Sequence, residues 1–89
     1  MPVTIWYAPE FKRDYKKLPD EVKEALKARG LLFQGHPFHP LLKTHKLAGA
    51  LDGVFAFTVD FRHRVLFRFM GKDVVMLLRV GDHSVYRRR

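Results

Sequence analysis

Three apolar runs with strand-like alternation crowd the last third of this chain, and they limit its fold more than any other feature. Residues 54–61, 64–70 and 74–80 each read as a strand, because β side chains point to opposite faces at every second residue. Gly71-Lys72-Asp73 makes a tight turn between the last two, and Asp52-Gly53 suits a hairpin turn before the first. Residues 47–51 provide a possible opening strand. Runs this close, joined by turns this short, pair as antiparallel neighbours, so the spacing predicts a meander of three to four strands.

The alternation also sorts side chains by face. Val65, Phe67 and Phe69 share one face of the second run, and Arg64, Leu66, Arg68 and Met70 the other. In the third run Val74, Met76, Leu78 and Val80 share a face, opposite Val75, Leu77 and Arg79. A charge inside an apolar run is costly to bury unpaired. Arg64, Arg68 and Arg79 therefore mark a face that is exposed or partnered. Asp60, Asp73 and Asp82 would serve as cross-strand partners; a phosphate gripped in bidentate fashion would serve as well.

The first half of the chain reads differently. Residues 3–8 are rich in β-branched and aromatic side chains and suit a short strand. Pro9 fits the first turn of a helix, and Phe11, Tyr15 and Leu18 recur at helical spacing until Pro19 stops it. Asp20 is predicted to cap a second helix, with Glu21 and Glu24 in its early turns and Lys27 and Arg29 later, as the helix dipole favours. Val22, Ala25, Leu26, Leu32 and Phe33 form its buried stripe. Residues 9–34 are thus expected to form an antiparallel helical hairpin. The two prolines of His36-Pro37-Phe38-His39-Pro40 make that segment a loop. Together these elements predict an α+β fold over residues 1–89, a single domain: a strand, a two-helix hairpin, then the meander. One face of the sheet should be covered by the helices and the other left open.

Composition narrows the function classes. The 89 residues carry 17 Lys/Arg against 9 Asp/Glu, a net charge of +8. That balance favours a polyanionic partner, such as nucleic acid, a ribosome or an acidic protein. The absence of Cys excludes disulfides and thiolate metal sites and suits a reducing cytoplasm. No apolar run approaches the ~20 residues of a membrane span, and the first residues do not read as a signal peptide, so a cytoplasmic protein without a membrane partner is expected.

The candidate chemistry lies in the loop before the meander and at its end. Lys43-Thr44-His45-Lys46 offers cations and an imidazole; Gly81-Asp82-His83-Ser84-Val85-Tyr86 offers a second imidazole and a phenol. A His near neutral pKa serves as acid or base, and Tyr86 could contact a phosphate or stack on a base. Such groups can hold a phosphodiester and move protons on it. His36 and His39 lie close in sequence, but with no Cys and no nearby acids the ligand count is poor, and no metal or other cofactor is expected.

The order of elements, His39-Pro40-Leu41-Leu42-Lys43-Thr44-His45-Lys46-Leu47-Ala48-Gly49, Arg64-Val65-Leu66-Phe67 and Gly81-Asp82-His83-Ser84-Val85-Tyr86 together resemble the RelE/ParE toxin superfamily, in particular RelE-, YoeB- and YafQ-like toxins of type II toxin–antitoxin modules. The resemblance implies a ribosome-dependent, metal-independent endoribonuclease. Its reaction is attack of an mRNA 2′-hydroxyl on the adjacent phosphate. Arg64 would stabilise the pentavalent phosphate, His45 would act as base or phosphate contact, His83 as general acid to the leaving 5′-oxygen, and Tyr86 as the C-terminal aromatic. Lys43, Lys46, Arg68, Arg79 and Arg87 would contact substrate. The implied partners are an acidic, partly disordered antitoxin, the ribosome and mRNA, with operator DNA reached through the antitoxin complex. The chain departs from the family pattern at Phe55 and Phe57, where RelE-like members carry lysines, and at Thr58 and Arg62, where YafQ-like members carry a His and an Asp. The alternatives are a ParE-like toxin acting on gyrase and a binding domain without activity.

Overall fold

In the computed structural model, which describes residues 2–49 and 53–86, the elements run β1 (Thr4–Tyr7), α1 (Pro9–Lys16), α2 (Asp20–Gly35), β2 (His45–Lys46), β3 (Phe55–Thr58), β4 (Arg64–Phe69) and β5 (Val74–Gly81). Short 3-10 turns occupy Pro40–Leu42 and His83–Tyr86. The strands form one sheet in the order β1-β5-β4-β3-β2. β2 through β5 pair antiparallel, as the short turns require. β1 lies parallel to β5, with Thr4 opposite Val74 and Tyr7 opposite Leu77, so the α+β fold carries a mixed sheet.

The helices cover one face. Phe11 of α1 and Val22, Leu26 and Phe33 of α2 are buried against Phe57, Val65, Phe67, Val75 and Leu77. Phe33 lies at the centre: its ring stacks on Phe57 at 4.6 Å and meets Phe67 edge-on at 4.8 Å. Such aromatic pairs add about 0.5–1.5 kcal/mol each beyond their buried area.

Four expectations change. Asp20 is the first residue of α2 rather than its cap; Pro19 takes the cap position, with no side-chain cap bond, and Asp20 acts only through its charge in the first turn. The strand expected over 54–61 stops at Thr58. There the Asp60 carboxylate accepts hydrogen bonds from the Arg62 and His63 N–H groups, a local turn that outcompetes the ladder and leaves Phe61 almost fully exposed. In place of a strand over 47–51, β2 is His45–Lys46, and Leu47 adds one bond from its N–H to the Val54 carbonyl; residues 50–52, with Asp52 of the expected turn, lie outside the described residues.

The fourth change concerns the strand faces. Leu66 pairs with Arg79 while its neighbour Phe67 pairs with Leu77, so one extra residue bulges from β5. The bulge resets the alternation, and Val80 joins Val75 and Leu77 in the helix-side core. Leu78 packs instead against a second cluster of Val54, Ala56, Leu66 and Val85, with Leu47 at its margin. The face expected to be open is therefore partly covered by the C-terminal 3-10 turn.

Candidate active site

The pairing register places the candidate groups. On the face opposite the helices, His45, Ala56 and Leu66 form one row, and Thr58, Arg64 and Gly81 the next. His45 and Arg64 thus share a face, two strands and two residues apart. Strand spacing puts their Cα atoms about 12 Å from each other, a gap that two extended side chains can close around a phosphodiester. His83 follows Gly81 by two residues, so the 3-10 turn carries it to the same end of the sheet as Arg64.

Each group is held by local chemistry. Lys43 adopts a left-handed backbone (φ 51°) that closes the Pro40–Leu42 turn. Its carbonyl then lies 2.9 Å from His45 Nδ1. A carbonyl only accepts, so Nδ1 carries the hydrogen. Neutral His45 is left with its lone pair on Nε2, the state a general base needs. Arg64 is half-buried at the start of β4, and its Nη1 donates to the carbonyls of Asp60 and His63. The β3–β4 loop thereby fixes the guanidinium. Asp82 accepts the Ser84 N–H at 3.0 Å and the Val85 N–H donates to the Asp82 carbonyl, which winds the turn bearing His83. Val85 pins that turn to the sheet through the second apolar cluster. Gly81 leaves it room: a Cβ there would lie 2.8 Å from Val85 Cγ1.

Two carboxylates near Arg64 are held ionised. Burial alone would raise the Asp60 carboxyl, but the N–H groups of Arg62 and His63 and the His63 ring, 3.0 Å away, outweigh it and set its pKa below the usual value. The Ser84 backbone N–H lowers that of Asp82, with His63 and His83 adding in the same direction. The sequence reading offered the Asp60 carboxylate as a partner for the strand arginines; Arg64 is held instead by the Asp60 carbonyl, together with that of His63, which the sequence reading missed. A signal for the Asp60 turn was present, since an Asp in a short connection between two strands favours it.

The remaining candidates are distributed more widely. Arg68 shares the face of Arg64 but lies toward the other end of β4, opposite Met76. Its Nη1 passes over Gly53, whose positive φ of 80° and missing Cβ leave space for it. Lys46 pairs with Phe55 and so points to the helix side. Arg79 reaches across to α1, where Nε and Nη2 donate to the two oxygens of Asp14 at 2.6 and 3.1 Å. Its partner is thus on a helix, not among Asp60, Asp73 and Asp82. Lys43 is exposed, Tyr86 closes the 3-10 turn, and Arg87 lies outside the described residues. His39 Nδ1 accepts the Leu41 N–H and caps the first 3-10 turn. His36 and His39 have ring centroids 6.4 Å apart, and among the described residues no third His, Cys, Asp or Glu gathers with them.

No protein-family model and no curated protein matches this sequence. Solved structures do match its fold. The YoeB/ParE toxin from Agrobacterium tumefaciens superposes with a TM-score of 0.77 at 18% identity, over 91% of this chain and 99% of that one. A chain of the E. coli DinJ–YafQ toxin–antitoxin complex gives 0.75 at 19% identity, over 96% and 97%. The toxin–antitoxin complex RelBE2 from Mycobacterium tuberculosis gives 0.68 at 26% identity, over 93% and 100%. The chain has the RelE/ParE toxin fold. Coverage this complete on both sides leaves no large insertion, so the two helices and the meander belong to the RelE/ParE architecture. Among the described residues no helix is long and apolar enough to cross a membrane.

Proposed function

We propose that this protein is the toxin of a type II toxin–antitoxin system and an endoribonuclease that cleaves mRNA on the ribosome without a metal. The supporting observation is the row Thr58–Arg64–Gly81, which sets a fixed guanidinium beside the turn carrying His83, on the same face as His45. In this reading His45 Nε2 removes the proton from a ribose 2′-hydroxyl. The 2′-oxygen bonds to phosphorus, and Arg64 stabilises the charge that grows on the pentavalent phosphate. His83 gives a proton to the departing 5′-oxygen, leaving a 2′,3′-cyclic phosphate and a 5′-hydroxyl. Fixed cations at developing charge commonly supply the largest part of such a rate. Lys43 and Arg68 add phosphate contacts, which need only positive charge. The acidic antitoxin expected for such a toxin would neutralise a protein of net charge +8.

The test is induced expression of wild type, Arg64→Ala and His83→Ala in a bacterial host, with primer extension on an abundant transcript. Translation-dependent cuts in wild type that vanish in both variants are expected. Growth arrest with intact transcripts would refute the nuclease and support the gyrase-directed alternative.

A further inference from the structure

Phe61 stands at the tip of the β3–β4 loop and is 94% exposed, more than any other large apolar side chain among the described residues. A single exposed apolar residue elsewhere on a surface needs no explanation. Here the loop that carries it also carries the site. The Asp60 and His63 carbonyls that accept from Arg64 Nη1 flank Phe61 in sequence, and His63 is close enough to the Asp82 carboxylate to favour its charged form. Phe61 therefore belongs to the end of the sheet that holds Arg64 and the turn bearing His83. It precedes Arg64 by three residues, so their Cα atoms lie within about 11 Å of each other.

The loop is tightly bonded for its size. The Asp60 carboxylate accepts from the Arg62 and His63 N–H groups at 2.9 and 2.8 Å and lies 3.0 Å from His63 Nδ1, while the Val59 N–H donates to the His63 carbonyl. These bonds all come from the neighbours of residue 61, and the turn asks nothing of its side chain. Asp, Asn, Ser or Gly would serve such a tip without exposing a ring, and Phe61 has no positive φ. Nothing within the fold requires a phenyl group here, and leaving one in water forgoes the gain that burial gives. The ring is thus held out from a fixed base, close to a guanidinium, with the exposed Arg62 next to it.

We propose that Phe61 stacks on a nucleobase of single-stranded RNA, on a nucleotide next to the phosphate held by Arg64, and so helps to set which bond is cut. An aromatic ring flanked by arginines suits a base together with its phosphates. An apolar protein surface would call for a wider patch, and the neighbours Asp60, Arg62 and His63 supply none. The contact is separate from that of Tyr86, which lies in the C-terminal turn. Stacking accepts every base, but its strength sets a modest preference, and the larger ring system of a purine is favoured. The inference rests on the nuclease reading above for the phosphate and its cleavage; the stacking itself is measured without cleavage.

The test uses the full chain with His45→Ala, which removes the base of the proposed reaction and leaves the Arg64 loop intact. Ribosomes are programmed with short mRNAs that carry 2-aminopurine at one position at a time, a base whose fluorescence is quenched by stacking. Quenching on addition of the protein is expected at one position. Phe61→Ala should abolish it and weaken half-saturation by about fivefold or more, the lower end of what one stacked base contributes. Phe61→Trp should restore both. Circular dichroism checks that each variant is folded. With His45 intact, primer extension should show Phe61→Ala losing a purine preference beside the cut and Phe61→Trp keeping it. Absence of quenching at every position, equal quenching in Phe61→Ala, or unchanged cut sites and efficiency in that variant would overturn the proposal. Intact transcripts with the Phe61-dependent quenching upheld would refute the nuclease alone.

Discussion

Replacing Asp14 with Ala tests how much of the fold depends on one carboxylate at the edge of β5. Asp14 accepts three bonds: Nε and Nη2 of Arg79, and the Val80 N–H at 3.1 Å. Beyond Tyr7–Leu77 the β1 ladder has ended, so the carboxylate takes the place of a neighbouring strand. The side chain of Asp14 is 15% exposed and that of Arg79 is 40% exposed. Hydrogen bonds to charged groups contribute about 1.5–3 kcal/mol each in protected settings. The exposure of Arg79 reduces the ion pair to about 1 kcal/mol, and the lost acceptor of Val80 adds about 1 kcal/mol. A total near 2 kcal/mol lowers Tm by roughly 8–16 °C in a domain of this size. Thermal unfolding followed by circular dichroism measures it, and a double-mutant cycle with Arg79→Met should return a coupling of about 1 kcal/mol. Arg79→Ala should destabilise the protein but still arrest growth, because its guanidinium is committed to α1. A Tm change under 3 °C for Asp14→Ala, or coupling near zero, would refute the reasoning.

Three further outcomes are expected. Gly81→Ala drives a Cβ into Val85 and should shift the His83 turn, cutting RNA cleavage at least tenfold in a primer-extension assay while the far-ultraviolet spectrum stays unchanged. Gly30→Ala should raise stability by about 0.5–1 kcal/mol in urea unfolding, the difference in helix propensity between the two residues. Asp60 has a folded pKa below its unfolded one, so its contribution is complete above about pH 4, the ordinary carboxylate value, and is lost as pH falls through the depressed value. Acid titration of stability should accordingly steepen below pH 4 in wild type and less so in Asp60→Asn.

The sequence was most legible where period and punctuation agreed. Pro9, Pro19 and the 3.6-residue recurrence of Phe11 and Tyr15 bounded the helices, and alternation located β4 and β5 within a residue. It failed where a side chain overrode the ladder. Asp60 folds back on the Arg62 and His63 N–H groups and cuts β3 short, although Val59 and Phe61 continue the pattern. The extra residue in β5 breaks strict alternation, and nothing in the run of residues 74–80 marks it. Arg79 illustrates the same limit for function: as a letter in a strand it matches Arg64, and only packing against α1 distinguishes them. The proposed site is built from residues that the sequence singles out by their chemistry, His45, Arg64 and His83. That His45 and Arg64 share a face followed from register.

The parallel pairing of β1 with β5 has a consequence for the order of assembly. Thr4 pairs with Val74, 70 residues further along the chain, so β1 has nothing to pair with until β5 has been made. Contacts this distant along the chain slow folding, because loop closure precedes any reward. The meander and the helices can gather earlier, but the edge of β5 remains bare until β1 arrives. On the proposed function this delay is protective: a translation inhibitor whose sheet stays incomplete until β5 has been made cannot act on the ribosome before then.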